Sequence, residues 1–91
     1  MIRDNITKVE KFLNLFENRI NADNNVVDLY TLKVGDVVIN YELANGKKID
    51  FRVKKIIDKD EPLFLIDVLK SNDNKISPNK DYKFDGEVNN G

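Results

Sequence analysis

Five cations fall within nine residues, at Lys47, Lys48, Arg52, Lys54 and Lys55, offset in that window only by Asp50. On a strand, alternate positions of this run put Lys48, Arg52 and Lys54 on one face. Such a row could follow a phosphate backbone, with Tyr30 or Tyr41 available to stack on bases. The same row also serves as an ordinary solvated face that discourages strand-to-strand aggregation. Charge balance favours the second reading. Lys and Arg number 15 against 16 Asp and Glu, for a net charge of −1, whereas nucleic-acid-binding domains are commonly basic.

The remaining inventory is thin in catalytic groups. The 91 residues contain no His and no Cys. That excludes a Ser-His-Asp triad, a Cys-His pair and thiolate- or imidazole-bound zinc. Carboxylate-only catalysis needs two carboxyls across a cleft that so short a chain has little room to build. Gly35, Gly46, Gly86 and Gly91 are scattered, so no Gly-rich phosphate cradle is present. Asp58, Asp60 and Glu61, and again Asn72, Asp73 and Asn74, group oxygen ligands, but without the spacing of a calcium-binding EF-hand loop. No catalytic residue, cofactor or metal is therefore expected. Asp67 is the polar exception in the run Leu63–Leu69 and is expected to lie half-buried beside Arg52 or Lys54, because an unpaired charge there would be costly.

These side chains need a frame. At about 100° per residue, Ile6, Val9, Phe12, Leu13, Phe16 and Ile20 fall within one arc, with Leu15 at its edge. With Asp4 as N-cap, this predicts an amphipathic helix over residues 5–21 that packs on a sheet and leaves Leu15 as a candidate partner contact. From Val26 the pattern alternates, and strands are expected within residues 26–84. Leu32–Asp36 reads as a turn with Gly35 at positive φ. A three-residue loop, Ala44-Asn45-Gly46, sets Tyr41 opposite Ile49, Ile39 opposite Phe51 and Val37 opposite Val53, with Glu42 facing Lys48 outside and Gly46 in the left-handed position of a G1 bulge. A two-residue loop would set apolar against polar throughout. The broken alternation at Lys54–Ile57 predicts a bulge, and Asp58–Pro62 a turn. Leu63–Leu69 is expected to be a central strand covered on both faces. Lys75–Ser77 reads as a short strand, Tyr82 and Phe84 as part of a last edge strand, and residues 85–91 as a flexible tail.

The stretch Val34–Leu69 resembles the small SH3-like and Sm-like barrels. It has their Gly-Asp opening (Gly35, Asp36), hydrophobic strand, Asn-Gly hairpin (Asn45, Gly46), long bent strand and buried strand, after a preceding helix. Phe51 stands near the family's mid-strand glycine, and its second RNA-contacting motif has no counterpart near Ile76. The resemblance implies a fold and supplies no site residues.

Together these features predict a single α+β domain over residues 1–84. An N-terminal helix would pack on a strongly bent antiparallel sheet of SH3-like barrel type. The expected function is that of a non-enzymatic protein-binding module whose partner is another protein. A small accessory or inhibitor protein of a phage or mobile element would suit the size and the AT-rich codon usage implied by 12 lysines against 3 arginines. The alternatives are a nucleic-acid-binding barrel using the basic face and a structural homo-oligomer subunit. The chain has no Cys and no apolar run that could span a membrane, so a cytoplasmic setting without membrane contact is expected.

Overall fold

The computed structural model describes residues 18–23 and 26–89. They form six strands: β1 Arg19–Asn21, β2 Val37–Glu42, β3 Lys48–Asp58, β4 Leu63–Ser71, β5 Asp81–Phe84 and β6 Val88–Asn89. The strands lie in one sheet in chain order, antiparallel except for the parallel pairing of β1 with β2. Among the described residues no pairing closes this sheet into a barrel.

This overturns the α+β expectation. The described residues are mostly β, and their helical content is one 3₁₀ turn, Leu29–Thr31. The end of the expected helix, Arg19–Asn21, is strand: Ile20 sits opposite Val38, and the Val37 N–H donates to Asn18 O at 2.9 Å. Pairing with β2 outweighs helical periodicity there, since three residues with one apolar member satisfy either period. Residues 5–17 of that expected helix, with Leu15, lie outside the described residues.

The hairpin follows the expected register at its tip. Tyr41 faces Ile49 and Glu42 faces Lys48, while Gly46 has φ +82° and donates its N–H to Leu43 O at 2.9 Å. Farther from the loop the register departs by one residue. Val38, not Ile39, faces Phe51, and Val37 faces Arg52 rather than Val53. The cause is a bulge at Asn40, whose φ is +58° and whose N–H donates to Asp50 Oδ1 at 2.8 Å. Asparagine tolerates this left-handed conformation better than other chiral residues.

Three further register shifts between β3 and β4 bend the pair, two of them in the Lys54–Ile57 stretch where alternation breaks. β4 is flanked by β3 and β5 as a central strand. Its Phe64, Ile66 and Val68 are buried, while Leu63, Leu65, Asp67 and Leu69 on the other face are half-buried. Lys75–Ser77 is a turn rather than a strand, though Ile76 is buried in the core. β5 is not an edge, because β6 pairs with it from within the expected tail.

The core lies on one face of the sheet. Val38, Ile49, Phe51, Val53, Phe64, Ile66, Val68 and Phe84 supply it from strands, and Leu32, Leu43 and Ile76 cover it from loops. Each such side chain contributes about 1.5–3 kcal/mol through removal from water. At the centre, Tyr41 meets Phe51 and Phe84 edge-on, with ring centroids 5.8 and 5.2 Å away. Among the described residues no helix is long and apolar enough to cross a membrane.

Candidate functional site

The basic run does not present a bare positive face. Lys48 Nζ lies 2.6 Å from Asp23 Oδ1, and Lys54 Nζ lies 2.8 Å from Asp81 Oδ2. These hydrogen bonds hold both ammonium groups above their ordinary pKa range. Arg52, one of the two expected neighbours of Asp67, sits opposite it, and Asp67 in turn faces Asp81. Two carboxylates directly opposite would repel, so Arg52 and Lys54 offset charge within the sheet itself. Lys47 and Lys55 are exposed, Lys47 near Asp73 and Lys55 opposite Leu65.

Tyr41 offers no stacking surface either. Its ring is part of the aromatic core, and its hydroxyl donates to Gly86 O at 3.1 Å. Burial pushes the phenol above its ordinary pKa, and the Glu87 and Asp85 carboxylates push the same way. Among the described residues no group of three or more carboxylates could hold an ion.

A different place gathers exposed chemistry. β2 begins at Val37, opposite Arg52, so β3 runs on past it from Val53 to Asp58. The segment before β2 covers that extension. Asp28 caps the 3₁₀ turn by accepting the Tyr30 N–H at 3.0 Å, and Thr31 Oγ1 donates to Asp28 O at 2.7 Å. This geometry turns Leu32 inward, at 3% exposure, and Tyr30 outward, at 70%. Farther along, buried Asp36 accepts the Lys33 N–H at 2.8 Å, while Gly35 N–H donates to Val53 O and Val53 N–H to Asp36 O. Gly35 has φ +95°, a conformation that glycine adopts without strain. The loop is therefore pinned to β3 by two backbone hydrogen bonds at Val53.

Between loop and sheet lies an apolar groove of about 190 Å³, lined by Leu29, Tyr30, Leu32, Ile56, Pro62 and Phe64, with Asp58 and Lys59 at its rim. Ile56 and Phe64 are cross-strand partners, which places both side chains in the floor. On the other side of Tyr30 is a shallower depression of about 410 Å³. Asp58, Asp60, Glu61 and Asp85 line it with Pro62 and Leu63, and no Lys or Arg does. Asp58 Oδ1 accepts the Asp60 and Glu61 N–H groups at 2.8 and 3.3 Å, which shapes that turn. The groove has a place for an apolar side chain and beside it a negative field, but no nucleophile paired with a base.

Sequence reasoning named Tyr30 only for stacking and the Asp58 turn only as ion ligands. No spacing rule brings residues 29–32 to residues 56–64, which meet through the sheet. Comparison with protein-family models, with curated proteins and with solved structures finds no match.

Proposed function

We propose that the chain is a non-enzymatic protein-binding module whose groove beside Tyr30 receives a partner segment that joins an apolar side chain to a cationic one. The observation that carries this is Tyr30, 70% exposed between an apolar slot and a depression lined by four carboxylates and no Lys or Arg. A large aromatic left in water on a rigidly held loop is the kind of anchor that protein interfaces favour. The apolar slot supplies desolvation, and the carboxylates supply electrostatic selection among partners. The absence of His and Cys from the whole sequence supports a binding role over a catalytic one. The nucleic-acid alternative has less support, because Lys48 and Lys54 are engaged by Asp23 and Asp81. Kinship with SH3-like barrels rests only on the bent β2–β4 meander and adds no residue to the site.

Selection of a displayed random-peptide library against the folded chain tests the reading. Enriched peptides are expected to place Lys or Arg beside Leu, Ile or Phe. Glu61→Lys should weaken their binding roughly five- to tenfold at low ionic strength, with less effect at high salt. Tyr30→Ser should weaken it at any salt. Enrichment blind to charge would remove the cationic half of the reading, and binding indifferent to Tyr30→Ser would remove the groove.

A further inference from the structure

The turn Ala44-Asn45-Gly46 does more than set a register. An asparagine followed by glycine is prone to attack by the glycine's backbone nitrogen on the Asn Cγ, because no Cβ obstructs the approach. The attack forms a five-membered succinimide and expels ammonia. Water then opens the ring to aspartate or isoaspartate, so one amide and one water become one carboxylate and one ammonia, with no redox change.

In the folded chain all three groups that this step must move are held. Asn45 Oδ1 accepts the Lys47 N–H at 2.9 Å, and Asn45 Nδ2 donates to Asp73 Oδ2 at 2.9 Å. The attacking nitrogen, that of Gly46, donates its N–H to Leu43 O at 2.9 Å. Asn45 itself is exposed, so water has access to it. The partner side is equally organised. Asp73 Oδ1 accepts the Lys75 N–H at 2.9 Å, Asp73 N–H donates to Ser71 Oγ at 3.0 Å, and Asp73 O accepts the Ile76 N–H at 3.1 Å. The Lys75 N–H and the Asn45 amide both hold the Asp73 carboxyl below the usual carboxylate range.

We infer that Asn45 is a hydrolytic modification site, held back by its contact with Asp73, whose conversion sets two carboxylates against each other and loosens the turn at residues 73–76 between its anchors, Asn72 on Lys48 and Ile76 in the core. Where an amide donated to a carboxylate, a second carboxylate would stand. The isoaspartyl product would also lengthen the main chain inside a three-residue loop whose register depends on its length.

The test is incubation of the whole chain at mildly alkaline pH, followed by peptide mapping that separates Asn45 from Asn90, which also precedes a glycine. Asn45 should convert roughly tenfold more slowly in the folded chain than in the same chain in denaturant, because reaction waits on local opening. Asp73→Ala should speed conversion in the folded chain severalfold, whereas Asp73→Asn, which keeps an acceptor at that place, should not. Asn45→Asp should raise amide exchange at Lys75 and Ile76 and leave β3 and β4 protected. Equal rates folded and unfolded, no response to Asp73→Ala, or unchanged exchange at residues 73–76 in Asn45→Asp would each overturn the inference.

Discussion

The bulge at Asn40 makes a quantitative claim about a single backbone conformation. Asn40 stands at φ +58°, its N–H donates to Asp50 Oδ1 at 2.8 Å, and its Nδ2 donates to Asn21 Oδ1 at 3.3 Å. Replacing it with valine puts a β-branched residue in the left-handed region, at a cost of about 1–2 kcal/mol. Loss of the long side-chain hydrogen bond to β1 adds about 0.5–1 kcal/mol. Asn40→Val should therefore destabilise by about 1.5–3 kcal/mol. Asn40→Gly loses the same hydrogen bond and gains unfolded-state entropy, but relieves the backbone, so its net cost should stay near 1 kcal/mol. The chain has no Trp, so far-UV circular dichroism is the appropriate probe of thermal and urea unfolding. At about 4–8 °C per kcal/mol for a domain of this size, the valine variant should melt roughly 6–24 °C lower than wild type, and well below the glycine variant. If valine and glycine variants were equally stable, the left-handed bulge would be wrong, and with it the one-residue offset that brings Val38 to Phe51.

Two other outcomes follow from the aromatic centre. Phe84 is fully buried and packs on Phe51 and Tyr41, with ring centroids 4.6 and 5.2 Å away. Phe84→Ala should cost about 3–5 kcal/mol, a large share of the stability of so small a domain, and Phe84→Leu clearly less, as read from urea unfolding midpoints. The Tyr41 phenol is raised above its ordinary pKa by burial and then by Glu87 and Asp85. Its contribution to stability should accordingly be complete below the unfolded value, near pH 10, and vanish as pH rises through the higher folded value. The difference in phenolate absorbance between wild type and Tyr41→Phe should show a midpoint above that of a free tyrosine, and a midpoint at or below it would contradict the buried hydroxyl.

The legible parts of the fold were those decided by neighbours in the chain. The three-residue loop could be read because only one register sets Tyr41 against Ile49 and gives Gly46 a left-handed place. The Lys54–Ile57 bulge could be read because alternation visibly stops there. The Asn40 bulge was harder, although Val37 and Val38 in succession, both buried, together with an asparagine two residues on, are its signature in retrospect. Arg19–Asn21 escaped because its identity as strand is set by β2, far along the chain, and not by its own periodicity. Ile76 reaches the core from a turn, where one apolar residue makes no pattern. That Asp67 would lie beside Arg52 or Lys54 was legible from strand composition, the choice of Arg52 was not, and neither was the groove. Its halves come from a loop before β2 and a turn after β3, and only the extension of β3 past β2 places them side by side.

The parallel pairing of β1 sets an order of assembly. From β2 to β6 each strand pairs antiparallel with its successor, so each pairing can start at its connecting turn and extend from there. β1 cannot join in that way. Parallel alignment with β2 requires residues 22–36 to carry the chain back along the full length of the strand before pairing is possible, and such a loop costs entropy before any contact repays it. The Tyr30 turn sits within that returning segment. The wall of the groove is thus bounded by the parallel pairing of the sheet on one side and by the meander on the other. Slow kinetics in this domain would be kinetics of the groove wall, with the meander already in place while Tyr30 is still finding its seat.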